Sequence, residues 1–570
     1  MLFSTNVTLE NHAECWHVID WRKANRVVRN LRRRIFRATR EGNIKKVRNL
    51  QKLLLKSFSN LVLAVRRCTQ ENQGKRTAGV DGRIALTPKE RWELVCELRV
   101  LNETIASPTR RIQIPKPNGK KRPLGIPIVT DRIRQAVVKE ALEPHWEAKF
   151  EPSSYGFRLG RSPHDAIARV QALTKQSPQG LPPKKQWIVD ADIKGCFDNI
   201  DHQHLLGVIG NFPARKLIKS WLKAGYIEKG NFHPTEGGTP QGGVISPLLA
   251  NISLHGLENA LGVTWNVRKG KTKSGIYATL AQSKRAVIRF ADDFIILCKS
   301  VEDAKLAKEE ANAFLSERGL HLSEEKTKIC HLNDGFDYLG FNVHRIPDKK
   351  RQSGYITLIT PSKDKIKETK QQIREIWLKG IGKPTDWIIN KLNPIIRGKA
   401  NYWNKVSSST VFQELDSYLH MRERRFTRRQ HPNKSENWRI KRYFGRFNPN
   451  RPDSKWYFGS KNTGAYLTQF VESKIEYHNA VPYDYTPDNP DPIVQQHFKK
   501  KDQSEATKLN KRNQRLAKKQ GHKCHHCGES LFNGEPYDVH HIVPKSQGGS
   551  DKISNLEILH RECHKATHYG

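Results

Sequence analysis

Two adjacent aspartates, Asp292 and Asp293, interrupt the otherwise apolar run RFADDFIIL at 289–297. Carboxylates placed this close repel each other and are costly to desolvate unless a cation accompanies them. Hydrated Mg²⁺ is the usual partner where paired carboxylates handle phosphate. An Asp-rich hairpin turn is the plainer reading, since aspartate favours turns. A second acidic strand end, WIVDADIKGCF, offers Asp190 and Asp192. If both strands lie side by side in one sheet, a carboxylate from each can share two metal ions. That arrangement suits in-line phosphoryl transfer, one ion activating the attacking hydroxyl and the other steadying the leaving oxygen.

A second chemistry-bearing cluster lies near the C-terminus, in KCHHCGESLFNGEPYDVHHIVPKSQGGSDKISNLEILHRECHKATH. Cys524 and Cys527 form a C-x2-C pair, and His560 and Cys563 repeat the spacing. Two such knuckles separated by a short segment are the pattern of tetrahedral zinc, against the alternative of four unliganded side chains. So short a module builds little core, and a metal staple compensates. The other six of the nine cysteines are scattered, which fits a reducing compartment.

The elements that must position these groups are legible in outline. AVIRFA and FIILC read as strands joined by a two-residue Asp-Asp turn, and WIVDAD as a strand. RRIQIPKPNGKKRPLGIP reads as two extended stretches around a Pro-Asn-Gly turn. GGTPQGGVISPLLANISLHGLENAL is a glycine-rich turn running into an apolar helix, and EDAKLAKEEANAFLSERGLHLSEEKTKI is a helix followed by a loop. FDYLGFNV at 336–343 reads as one short strand. Residues 1–70 repeat apolar positions at three and four with dense arginine and lysine between, amphipathic helices whose basic face suits nucleic acid. Residues 71–82 are a polar loop, and helical texture returns from 355 to 440. The segment 441–495 is rich in tyrosine, tryptophan and proline. Backbone contact and stacking on DNA, or a folded connector using its aromatics as core, explain it equally. A lysine-rich hinge at 499–519 introduces the last unit.

The net charge of +43, from 100 Lys and Arg against 57 Asp and Glu, calls for a polyanionic partner. Nucleic acid explains it better than an acidic membrane surface, because neutralised phosphates release counterions. No apolar run approaches the roughly 18 residues of a membrane span. The opening MLFSTNVTLENHAECW has neither a basic n-region nor an apolar h-region, so no secretory signal is expected and the expected location is cytoplasmic: bacterial cytoplasm or nucleoid, or an organelle matrix.

The blocks RIQIPKPNGKKRPLGIP, SSYGFRLGRSPHDAI, DIKGCFDNIDH, GTPQGGVISPLLANI, RFADD, GLHLSEEKTKI and FDYLGF, in that order, resemble the successive blocks of reverse transcriptases encoded by group II introns. GKANYWNKV resembles the maturase, or thumb, region of that family. The resemblance implies a multidomain α/β (α+β) chain: a right-hand polymerase of fingers, palm and helical thumb with a C-terminal zinc-stabilised ββα-metal HNH module. The expected divisions are 1–185 (N-terminal extension and fingers), 186–345 (palm), 346–440 (thumb or maturase domain), 441–510 (DNA-binding region and basic linker) and 511–570 (HNH endonuclease).

Carried over by position, the resemblance implies that Asp192, Asp292 and Asp293 are the catalytic carboxylates holding two Mg²⁺. Asp190, Asp198 and Asp201 fall off the matching positions and read as surface or turn aspartates. Phe197 would pack on the sugar and exclude a 2′-hydroxyl. Gln241 would contact the incoming deoxynucleoside triphosphate, its flanking glycines allowing close backbone approach. Lys116 and Arg122 would hold the triphosphate. The family more often has tyrosine where Phe290 stands; phenylalanine keeps the ring and loses a hydroxyl.

DVHHIVP, SNLEILH and the final CH resemble the HNH nuclease fold. The resemblance implies that His541 is the general base, a task suited to an imidazole neutral near pH 7. His540 and His564 would hold one divalent ion, expected to be Mg²⁺, and Asn555 would brace the loop carrying His541. Cys524, Cys527, His560 and Cys563 would hold one structural Zn²⁺, although many HNH proteins carry cysteine at the place of His560. His522, His525, His526 and His568 match no role and read as surface histidines.

The implied partners are a group II intron RNA, a DNA target and dNTPs, with no membrane; a homodimer is allowed. The implied pathway has the chain assist splicing, nick one target strand and extend the 3′-hydroxyl by copying intron RNA. A splicing-only maturase and a reverse transcriptase of a defence or retron-like system are two rivals; a third, a free-standing homing nuclease, would not need the first 500 residues. Intact carboxylates weigh against the first, and the thumb and HNH blocks against the second.

Overall fold

The computed structural model describes residues 12–100, 105–115, 119, 121–176, 183–269, 276–280, 283–482 and 485–568. Lys116, the Pro117–Asn118 turn and the opening residues 1–11 lie outside the described residues.

The chain begins with helices His12–His17, Trp21–Arg40, Ile44–Leu55 and Phe58–Arg66. Trp21–Arg40 starts where the Asp20 carboxylate accepts the Lys23 N–H at 2.8 Å, satisfying one of the free donors of a helix N-terminus. Trp21, Ala24, Val28 and Ile35 then bury one face. Arg32 on the same face is buried too, and is paid for by ion pairs to Glu140, Glu143 and Asp488.

Hairpin strands Thr109–Pro115 and Lys121–Ile126 follow, extended at one edge by Tyr226–Glu228 and Asn231–His233. The central sheet has four antiparallel strands in the order Lys328–His331, Trp187–Asp192, Asp293–Cys298, Ala286–Phe290. Alternation sends its residues into two cores. Val189, Ala191, Phe294 and Ile296 join the helical N-terminal half. Ile188, Ile288, Ile295 and Leu297 join the core that runs into the C-terminal helices. A sheet covered on both faces reads as nearly continuous apolar sequence, which is why single charges within it stand out.

Four sequence expectations need correction here. Phe290 pairs with Asp293, so the two-residue turn is Ala291–Asp292 and Asp293 already belongs to the strand. Ala291 takes the left-handed conformation (φ 59°) that a two-residue hairpin can demand of its first loop residue. FDYLGFNV is two strands, Phe336–Tyr338 and Phe341–Pro347, folded back on each other. Tyr355–Pro361 is a third strand of that sheet and not helix; the helices are Lys363–Lys379, Thr385–Trp403, Ser409–Gln430 and Glu436–Tyr443. The lysine-rich stretch 499–519 lies in two helices, Pro492–Ala506 and Lys511–Lys519, and not in a hinge. Each is capped by a side chain, Asp491 and Asn510, and each buries apolar residues.

Within 441–495 the aromatics divide. Tyr443, Phe444, Tyr457, Phe458 and Phe470 are buried against the helices, with Tyr443 and Phe458 stacked at 5.7 Å. Trp456 and Tyr477 remain 45% and 76% exposed. No described helix is long and apolar enough to cross a membrane.

The terminal unit is a hairpin, Tyr537–His541 with Leu556–His560, followed by helix Arg561–Thr567.

Candidate active sites and metal centre

Asp192 ends its strand directly opposite Asp293, which begins the neighbouring one, so their side chains share a face. Asp190, two residues back, lies on that face as well. It is half-buried in mid-strand, not a surface or turn residue as expected. Asp198 sits exposed in the short helix Cys196–Asn199, and Asp201 caps helix His202–Ile209 by accepting the His204 N–H at 2.6 Å.

Burial and mutual repulsion raise these carboxyls. Asp293 is pushed up to about 7 by burial and by Asp292 and Asp192. Asp292 is raised by burial and Asp192, with Arg122 and Lys326 opposing. Asp190 is raised to about 6 by burial and Asp192. Lys326 donates to the Asp192 carboxylate at 2.6 Å, and this bond raises the ammonium pKa in turn. A half-buried carboxylate group under this strain is the donor set that a divalent cation relieves.

The hairpin tip is held from behind. Arg289, in the strand leading into the turn and almost fully buried, donates to the Asn251 side-chain oxygen at 3.0 Å and to the Ala291 carbonyl at 3.2 Å. Asn251 donates to the Gly156 carbonyl at 2.8 Å. Backbone bonds tie Tyr155 and Ser153 to Arg289. Gly156 lies so close that a Cβ there would stand 2.3 Å from the Ala291 nitrogen. Tyr338 donates to the Ile288 carbonyl from the other side. None of Arg289, Asn251, Gly156, Tyr338 or Lys326 was singled out from sequence. The one available signal was a charged residue, Arg289, inside an otherwise apolar strand.

A cleft of about 250 Å³ is lined by Phe197, Asp198, Gln241, Arg111, Tyr226 and Thr109. Phe197 packs edge-to-face on Phe157. Arg122 donates to the Gln241 side-chain oxygen at 2.8 Å, and the Gly125 N–H bonds the Gln241 carbonyl. Gly242, at φ 115°, lets the loop approach: a Cβ would lie 2.4 Å from the Gly125 carbonyl.

In the terminal unit, Cys524, Cys527, His560 and Cys563 are all buried and offer ligand atoms within 4.8 Å of one another. His560 directs Nε2 to the Ser530 carbonyl at 3.0 Å, which leaves Nδ1, 3.3 Å from the Cys527 sulfur, as the inward nitrogen. Three thiols and a ring nitrogen so arranged fit tetrahedral zinc.

Strand alternation separates His540 from His541. His540 is buried and clusters with His564 and His568, their ligand atoms also within 4.8 Å. Burial first, and the neighbouring imidazoles next, lower the pKa of His540 and of His564. His568 is exposed, as a surface histidine is expected to be, yet its ring stands 4.7 Å from that of His564 and 5.3 Å from that of His540. It follows His564 by one helical turn, a spacing that could have revealed it. His522 is buried too, whereas His525 is exposed and pairs with Glu557. His541 pairs with Asp551 at 2.8 Å. Asn555 accepts the Val543 N–H at 2.8 Å and donates to the Val543 and Ser550 carbonyls, closing the loop that leaves His541.

Four family models match successive stretches of the chain. Residues 16–98 match the N-terminal domain of reverse transcriptase, and 114–343 match reverse transcriptase (RNA-dependent DNA polymerase). Residues 366–444 match the group II intron maturase-specific domain, and 524–570 match HNH endonuclease. Protein YkfC of Escherichia coli (strain K12) is 35% identical over 320 residues, covering 52% of this chain and 82% of that protein. The chain belongs to the group II intron-encoded reverse transcriptase family. The group II intron-encoded protein LtrA of Lactococcus lactis subsp. cremoris is 33% identical over 389 residues, covering 55% of this chain and 63% of LtrA. Maturase-like protein 1 of Euglena gracilis is 26% identical over 342 residues, covering 56% of this chain and 64% of that protein. As a group II intron reverse transcriptase with maturase and HNH domains, the chain has a use for both acidic and basic surface: the domains imply intron RNA and nucleic-acid substrates.

Proposed function

We propose that this chain copies its intron RNA into DNA at Asp192, Asp292 and Asp293, and nicks the target strand that primes the copying at His541. The observation that carries the reading is the register of Asp192 against Asp293 at the tip of a braced hairpin. Divalent cations bound there supply charge neutralisation and Lewis acidity to phosphoryl transfer. Asp192, Asp292 and Asp293 are the residues that would hold them, as Mg²⁺. Gln241 and Arg122, bonded to each other beside the cleft, would orient a deoxynucleoside triphosphate, and the Phe197 ring would exclude a 2′-hydroxyl. Arg122 keeps a hydrogen-bonding edge beyond Gln241 for phosphate. The strands and helices would then take the roles of fingers, palm and thumb of a right hand.

In the HNH unit, His540, His564 and His568 would hold one divalent cation, and His541, steadied by Asp551, would take the proton from water. Zn²⁺ would sit on the four-ligand cluster. Exposed Trp456 and Tyr477 are available for stacking on DNA.

The test supplies intron RNA and a DNA target to the protein and to Asp292→Ala and His541→Ala variants. Asp292→Ala should lose complementary DNA synthesis and keep splicing assistance. His541→Ala should lose second-strand nicking alone. Normal copying by Asp292→Ala sinks the polymerase assignment.

A further inference from the structure

Arg66 ends helix Phe58–Arg66 and is 4% exposed. Its guanidinium lies over the Trp21 ring at 4.7 Å and pairs with Glu71 at 2.8 Å. Its remaining edge crosses to the HNH unit, where Nη2 donates to the Cys563 sulfur at 2.9 Å. Around this contact Asn25 donates to the Cys527 carbonyl at 3.2 Å, Arg29 pairs with Glu529, and Lys75 pairs with Glu562 at 3.6 Å. Apolar packing is continuous across the junction: Leu531, Leu556 and Ile558 belong to the same core as Trp16, Trp21 and Leu63.

The charges explain why an arginine stands there. Zn²⁺ with three thiolates and a neutral imidazole carries one net negative charge. Burying an uncompensated charge costs several kcal/mol, at roughly the scale of a whole domain's stability margin. A buried guanidinium has the converse need, and Glu71 meets only part of it. Arginine also holds its donors in a fixed planar fork, so one cation can serve Glu71 and a thiolate together.

We propose that Arg66 is the latch that docks the HNH unit on the N-terminal helices, with the zinc–thiolate centre as its counter-ion. The centre then has a second role beside stapling its own module: it fixes where the nuclease stands relative to the polymerase. Arg66 is a positioning residue and touches no substrate. The inference rests on the zinc reading of the four-ligand cluster, so zinc is measured separately.

Hydrogen exchange on the full chain, with zinc content and RNA-templated synthesis on a primed template, tests it in Arg66→Gln and Arg66→Lys. Arg66→Gln should keep one zinc and its copying rate, while amides of Cys524–Leu531 exchange roughly tenfold faster through a more populated open state. Arg66→Lys should recover part of that protection. Faster exchange confined to 58–71 would mean that Arg66 only braces its own helix, and would overturn the proposal. So would unchanged exchange at 524–531, or loss of zinc from Arg66→Gln. If Arg66→Gln also loses copying, the rim pair Asn25→Ala with Arg29→Ala decides: faster exchange at 524–531 supports docking at this face, and wild-type exchange overturns it. A wild-type chain without zinc sinks the zinc reading first.

Discussion

Asp192 and Asp293 face each other across two antiparallel strands, the last residue of one opposite the first of the next. The pairing concentrates negative charge where burial already disfavours it, and Asp293 rises to about 7 in consequence. On the function proposed above, a site built this way trades stability for metal binding. Asp293→Asn should therefore lower RNA-templated DNA synthesis by roughly a hundredfold or more, while the thermal midpoint of the metal-free protein stays level or rises. A midpoint that falls with activity would show a structural role for the carboxylate, not a catalytic one.

Gly156 is where the tip of the carboxylate hairpin meets the rest of the fold. Because a Cβ there collides with backbone at Ala291, Gly156→Ala must displace the turn that carries Asp292. Overpacking of this kind costs about 1–3 kcal/mol. DNA synthesis should fall, with nicking by the HNH unit unchanged. Paired primer-extension and nicking assays on one preparation check it.

Asn555 closes the loop after His541 with one accepted and two donated bonds. Asn555→Ala should reduce nicking by roughly 10–100-fold, as loss of a supporting bond near a metal site does. Asn555→Asp keeps the acceptor for the Val543 N–H and should retain more activity. Copying should be normal in both.

Asp165 joins helix Pro163–Thr174 to the segment before 482. Burial alone would raise its carboxyl, but bonds from His478, Ser162 and the Val481 N–H hold it at about 2. Its folded pKa lies below the unfolded value of about 3.9, so the stabilisation is complete above that value and is lost as pH falls towards 2. Asp165→Asn should cost about 2 kcal/mol at neutral pH. In urea titrations the gap between the two proteins should narrow below about pH 4. A gap that widens in acid would contradict this linkage.

Legibility followed the range of the physics. Cys524, Cys527, His560 and Cys563 were readable because zinc geometry constrains spacing within each knuckle, and the two acidic strand ends because charges inside apolar runs are rare and costly. The turn at Ala291–Asp292 was misplaced by one residue: pairing register is set by the neighbouring strand, and aspartates are equally at home on either side of the tip. Tyr355–Pro361 does not stand out as a strand in the sequence because its alternation is half-buried and weak. The lysine-rich 499–519 looked like a hinge because composition hides the few apolar positions, such as Leu516 and Ala517, that anchor it.

From sequence alone came the chemistry: carboxylates for cations that act on phosphate, a zinc knuckle pair, an HNH histidine series and a basic surface for a polyanion. The HNH series is what the resemblance to that nuclease fold implies; the others follow from residue type and short spacing, which local bonding rules constrain. Only the tertiary structure decided which carboxylates meet, that Arg289, Asn251 and Gly156 brace them, that His568 joins His540 and His564, and that Arg66 reaches Cys563. Such contacts join residues far apart in the chain, and their formation depends on how whole faces pack, which no local pattern encodes.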